Sequence, residues 1–130
     1  MHKESLTSRE ATKVNTLKEI LQAALDKKAG DIIVLELEGK CSFWDQFLIC
    51  SGTSVRQNQS IADGINERLR RAGVHVDHIE GYSTGEWILM DYLDVVVHIF
   101  SERSREFYDL ERLWPEGKRR KAEELIEQGV

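Results

Sequence analysis

Asp91 and Asp94 are the residues whose type and spacing come closest to catalytic chemistry, because paired carboxylates can hold Mg²⁺ for phosphoryl or nucleotidyl transfer. Residues three apart in an extended strand point to opposite faces, so the two converge only if a turn brings them round. A structural role for the pair within a turn is the stronger reading. Gly52-Thr53-Ser54 precedes a helix-like stretch, where free backbone N–H groups could receive an anion. It lacks the further glycines and the lysine of the GxxxxGK[ST] and GxGxxG loops, which favours a tight turn and helix cap. His98, within VVVHIF, has no Ser or Cys nucleophile placed beside it by the sequence and reads as a sheet histidine. Cys41 and Cys50 lack metal-ligand spacing and read as buried, reduced thiols.

Trp87 is more informative. In EWILMDYLDVVVHIF, strand alternation puts Trp87, Leu89 and Asp91 on one face, with Ile88 and Met90 on the other. A tryptophan there is either core or, if exposed, an interaction anchor of the kind that dominates binding energies. Glu80, Glu86 and Asp91 would direct such a face towards a basic partner. The whole-molecule charge agrees: 18 Lys plus Arg against 23 Asp plus Glu leave −5. That field repels phosphate, which disfavours direct nucleic-acid binding, and favours encounter with basic protein surfaces such as those of ribosomal proteins.

These residues need elements to position them. Val14, Leu17, Ile20, Leu21, Ala24 and Leu25 form a helical stripe, with Thr7 and Glu10 as a candidate capping box. After Ala29-Gly30-Asp31, the run at 32–37 predicts a largely buried strand, and Gly39-Lys40 a turn. A second strand covers 47–51. Ser54 and Gln57 then fit a capping box for a helix carrying Ile61, Ile65 and Leu69, which Gly73 closes. A third strand is expected at 74–79. Two more form a hairpin about Asp91-Tyr92-Leu93-Asp94, the second of them central in the sheet.

A helix with Ser101 as its cap is predicted over 102–114, with Phe107, Leu110 and Trp114 along one stripe and Pro115 stopping it. The charged stretch after Pro115 reads as a short exposed helix or a frayed tail. The expectation is one α/β domain, a mixed sheet of about five strands flanked by helices, over residues 13–115. Residues 1–12 read as an extension and 116–130 as a charged tail. MHKESLTSREATK resembles no targeting peptide and no run approaches the roughly 18 to 20 apolar residues of a membrane span, so a cytoplasmic address without membrane contact is expected.

Several segments, in their order and spacing, resemble the ribosomal silencing factor or Iojap-like family from about Leu17 to Trp114. They are DQFLICSGTSVRQNQSIAD at 45–63, IEG at 79–81, GEW at 85–87 and ILMDYLDVVVHIFSERSREFYDLERLW at 88–114. The resemblance implies a nucleotidyltransferase-like fold without the catalytic carboxylate motif; here no Asp-x-Asp follows Gly52-Thr53-Ser54. It implies a non-enzymatic protein without cofactor or metal that binds the large ribosomal subunit through its fourteenth ribosomal protein. Such binding blocks the small subunit and represses translation when nutrients are scarce.

By the same resemblance, Trp87, Leu89, Asp91, Glu80, Gly81 and the adjoining Glu86 lie at or near the partner contact. Gly52, Thr53, Ser54, Asp63, Asp94, His98, Arg105, Tyr108, Glu111 and Trp114 match positions assigned mainly to the fold. A homodimer is implied as possible in the free state. The chain departs from the family at Leu93, where glycine is usual, at Trp44 and Gln46, and in its longer charged C-terminal stretch. The rival readings are an Mg²⁺-dependent nucleotidyl- or phosphotransferase using Gly52, Asp91 and Asp94, and a homodimeric scaffold with no ribosomal role.

Overall fold

The computed structural model describes residues 16–36, 46–113 and 119–127. Helix α1 (16–26) turns Leu17, Ile20, Leu21 and Ala24 inward, as their spacing predicts. Val14, the Thr7–Glu10 capping box and the Gly39-Lys40 turn lie outside the described residues. Strand β1 (Gly30–Glu36) begins two residues before the expected 32, and its ladder with β2 (Gln46–Gly52) is irregular between Gly30 and Ile33. Asp31 has a φ of 45° within that irregularity.

Helix α2 (Val55–Arg71) starts at Ser54, whose side chain accepts the Gln57 N–H at 3.0 Å. Gln57 reaches back to Thr53, one residue before the cap, accepting from its N–H at 2.7 Å and its hydroxyl at 2.8 Å. The same amide donates to the carbonyls of Lys27 and Lys28, so the cap also ties α2 to the end of α1. At the other end Val74 N–H bonds to the Leu69 carbonyl, and Gly73 takes a φ of 85°. This is the left-handed glycine stop predicted from the sequence.

The third strand is shorter than expected: β3 spans only His78–Glu80. Val74 and Val76 mimic strand alternation, but they pack against the core from an irregular connection that spans the distance from the helix end to the sheet edge. Strands β4 (Trp87–Asp91) and β5 (Val95–Ser101) form the expected antiparallel hairpin. β5 also pairs in parallel with β2, which makes it central.

The sheet has six strands rather than about five, in the order β3-β4-β5-β2-β1-β6. The sixth comes from the stretch expected to be an exposed helix or a frayed tail: β6 (Arg119–Lys121) pairs antiparallel with β1. A short helix (Ala122–Glu127) follows and buries Ala122 and Leu125. Free ladder groups on the outer edge of β1 and two apolar side chains at three-residue spacing recruit a segment whose charge suggested solvent.

The last predicted helix is also divided. Helix α3 (Glu102–Tyr108) is capped by Ser101, as expected, but stops at Asp109, which takes a φ of 46°. A 3₁₀ turn (Leu110–Leu113) continues the chain. The break rotates the expected stripe: Leu110 packs on the sheet, whereas Phe107 is 79% exposed. Trp114 and Pro115 lie outside the described residues. The C-terminal helix is labelled α4.

One sheet face is covered by α1, α2 and α4 over Ile32, Val34, Leu48, Cys50, Ile88, Met90, Val97 and Ile99. Among the described residues no helix is long and apolar enough to cross a membrane. In the β4–β5 turn Leu93 has a φ of 75° and is 59% exposed, so a Cβ is held in the left-handed region with little packing in return. Leu93→Gly is expected to stabilise the protein by about 1 kcal/mol, read as a higher urea midpoint at unchanged m-value. A lower midpoint would contradict that reading of the turn.

Candidate functional site

The face opposite α1, α2 and α4 is where β4 shows Trp87, Leu89 and Asp91, each half-buried, while Ile88 and Met90 are fully buried beneath. Leu35, Ile49 and Phe100 are buried on this side, with Ile33, Phe47, Trp87 and Leu110 partly covered around them. Trp87 is thus neither wholly core nor free. Its ring centroid lies 4.9 Å from Phe100 and 4.7 Å from Tyr108, which is 52% exposed. Phe107 meets Tyr108 edge-on at 5.0 Å, extending the aromatic surface onto α3.

The ladders set a cross-strand row on this face, Glu80–Leu89–His98–Ile49–Ile33–Lys121. It runs from an acidic end on β3 to a basic end on β6, with apolar residues and one histidine between. Glu80 is exposed and bonded to His78, whose pKa this contact raises. Asp91 accepts the Leu93 N–H at 2.7 Å, so it organises the hairpin as well as edging the face. Asp94 is exposed in the same turn, and its carbonyl accepts the Gln46 N–H.

Glu86 is half-buried, accepting from Ser101 Oγ at 2.6 Å and Ser104 Oγ at 3.4 Å. It binds the start of β4 to the start of α3. Arg105 donates twice to Glu111 Oε2, at 3.2 and 3.0 Å, and to Ser51 Oγ at 2.7 Å. These bonds tie α3 and the 3₁₀ turn to the end of β2 and so place Tyr108 over Trp87. Among the described residues no group of three or more His, Cys, Asp or Glu side chains is positioned to share a metal ion. Cys50 is fully buried, which pushes its thiol up to about 12, away from nucleophilic chemistry.

The loop before β4 depends on a residue that sequence reading missed. Asn58 is completely buried in α2 and donates from Nδ2 to the Gly85 carbonyl at 2.7 Å. Its signal was a polar residue in line with the Ile61 and Ile65 stripe, three and seven positions away. Gly52 must be glycine beneath it, since a Cβ there would lie 2.2 Å from Asn58 Oδ1. Gln59 donates to the Tyr82 carbonyl, and the Tyr82 hydroxyl donates to Asp63 at 2.9 Å. Three side chains of α2 therefore fix the loop from which Trp87 emerges.

His98 is only 4% exposed. Its Nδ1 accepts the Trp87 indole N–H at 3.1 Å, while Phe47 packs on the ring edge-wise at 4.5 Å. Burial lowers its pKa from 6.5 to about 4. An unfolded chain takes up this proton near 6.5 and the folded one only near 4, so acid favours unfolding between those values. The stabilising contribution is complete above pH 6.5, declines to pH 4 and is flat below, a change of about 3 kcal/mol in all. The stability of the parent relative to His98→Leu is expected to fall by that amount between pH 7 and 4 in urea titrations. A difference constant with pH would contradict the burial of a neutral imidazole.

Comparison with known proteins places this geometry in a family. The family profile described as "ribosomal silencing factor during starvation" matches residues 10–129. The Bacillus subtilis ribosomal silencing factor RsfS is 43% identical over 98 residues, covering 75% of this chain and 83% of that protein. A mouse protein named for mitochondrial assembly of the ribosomal large subunit is 30% identical over 91 residues, covering 68% of this chain and 40% of its own length. A crystal structure from Chromobacterium violaceum superposes with a TM-score of 0.75 at 36% identity, over 77% of this chain and 83% of that one. With nearly the whole chain inside the profile and the sheet shared with solved relatives, this protein belongs to the ribosomal silencing factor family.

Proposed function

We propose that the open aromatic face docks on the large ribosomal subunit through a basic surface of its fourteenth ribosomal protein. Occupancy then obstructs the small subunit, so translation falls without any bond being made or broken. The observation that carries this reading is a partly exposed Trp87 set among Phe100, Tyr108 and Leu89, with the acidic Glu80 and Asp91 at its margin. Apolar aromatic anchors supply affinity, and like-signed charge at their edge selects the partner and its orientation. The net charge of −5 supports a basic protein surface over direct capture of ribosomal RNA.

Within this reading Trp87 and Leu89 are the anchors, and Asp91 and Glu80 steer the approach. Gly81 and Glu86 act by holding the strand that carries them. The protein works in the cytoplasm, beside ribosomes. In the free state a second copy covers the same face, since the charge-graded row would oppose its acidic end to a partner's basic end under twofold symmetry. Sedimentation tests the reading: the chain is expected to travel with purified large subunits and to reduce their joining to small subunits. A chain that stays at the top of the gradient would leave the homodimeric scaffold as the better reading.

A further inference from the structure

His98 is the one polar side chain on β5 that points into the aromatic face, and its chemistry there is not explained by packing alone. An indole N–H can only donate. Because it reaches His98 Nδ1 at 3.1 Å, that nitrogen must be the bare acceptor and the ring proton must sit on Nε2. Among the described residues Nε2 is buried without a hydrogen-bond partner. The groups around the ring are apolar or aromatic: Phe47 and Ile49 from β2, Leu89 and Trp87 from β4, and Phe100 on its own strand. Among the described residues no charged side chain is in position to hold this tautomer. What fixes it is the tryptophan.

We infer that His98 is a positioning residue for docking: its Nδ1 consumes the Trp87 indole N–H and holds the ring against Phe100 in the pose the partner meets. This rests on the docking role proposed for the face. A partly exposed tryptophan with a free N–H would swing towards water to satisfy that donor, and binding would then have to reorder it. With the donor satisfied internally, the indole presents apolar surface that needs no polar match in the partner, and its rotamer is set in advance. The leftover cost is the orphaned Nε2–H, which an apolar residue at this position would avoid. The presence of a histidine there despite that cost is accounted for by what Nδ1 does for the indole.

The first test needs no ribosome. In the full-length protein labelled with ¹⁵N-tryptophan, the Trp87 indole N–H, assigned by Trp87→Phe, is expected to exchange with solvent at least tenfold faster in His98→Leu than in the parent. Leucine is apolar, fills a similar space and removes the orphaned donor, so the variant is expected to fold; urea titration checks this. An indole proton that exchanges equally fast in both proteins would overturn the inference whatever the face binds.

The second test measures affinity for large subunits. His98→Leu is expected to weaken binding about tenfold, and His98→Asn, whose Oδ1 can stand in for Nδ1, to recover part of that loss. Added to Trp87→Phe, which has already removed the N–H, His98→Leu is expected to change affinity less than twofold. A full additional tenfold loss in that background would show that His98 acts independently of the indole. If exchange behaves as expected while neither Trp87 nor His98 variants change binding, the docking role is wrong and the docking function of His98 falls with it.

Discussion

Trp87→Ala is expected to raise the dissociation constant for large subunits about 100-fold, equivalent to about 2.8 kcal/mol. The substitution removes the ring that packs against both Phe100 and Tyr108 and breaks the bond to His98 Nδ1. The remaining surface therefore loses both its largest apolar anchor and the order of its neighbours. Stability falls as well, because most of the side chain is covered, so binding is compared at concentrations corrected for the folded fraction. Ile88→Ala provides the contrast. That side chain is fully buried on the other face of the same strand. Its loss is expected to cost about 2 to 4 kcal/mol of stability while the folded molecules bind as the parent does. If folded Trp87→Ala bound like the parent, another surface would have to make the contact.

The second large effect is expected at Gly81. Its φ is 79°, and a Cβ built there would lie 2.1 Å from the Trp87 carbonyl oxygen, a backbone atom that cannot swing aside. Gly81→Ala therefore combines left-handed strain with displacement of the first residue of β4, and a loss of about 3 kcal/mol or more is expected in urea titration. Gly73→Ala isolates the strain, since φ is 85° there and nothing lies within 4 Å of the added carbon. It is expected to cost about 1 kcal/mol. Equal losses at the two positions would show that the loop yields and that Gly81 does not set the position of Trp87.

Gly81 also illustrates where sequence reading stops. The family resemblance marked it as part of the loop at the contact, whereas the requirement for glycine comes from a carbonyl six residues later. The hairpin, the two-faced pattern of β4 and the central position of β5 were legible because alternation and turn residues are local signals. The Ser54 and Ser101 caps were legible for the same reason. The division of the last helix at Asp109 was not, because a left-handed aspartate leaves no periodic trace and Leu110 continues the apolar spacing. β6 was hidden by its composition: Arg119-Arg120-Lys121 gains a ladder only because β1 offers a free edge. Asn58 and the tautomer of His98 depend on contacts across 27 and 11 residues, which periodicity cannot report.

The claim on which the functional account rests is that the aromatic sheet face, and not the helical face, meets a protein of the large subunit. Photocrosslinking addresses it directly, with p-benzoylphenylalanine placed at position 108 beside Trp87 or at position 70 on the exposed side of α2, each incubated with purified large subunits. An adduct to the fourteenth ribosomal protein is expected from position 108 and none from position 70. Adducts to ribosomal RNA or another protein from position 108, or a ribosomal adduct from position 70 alone, would contradict it.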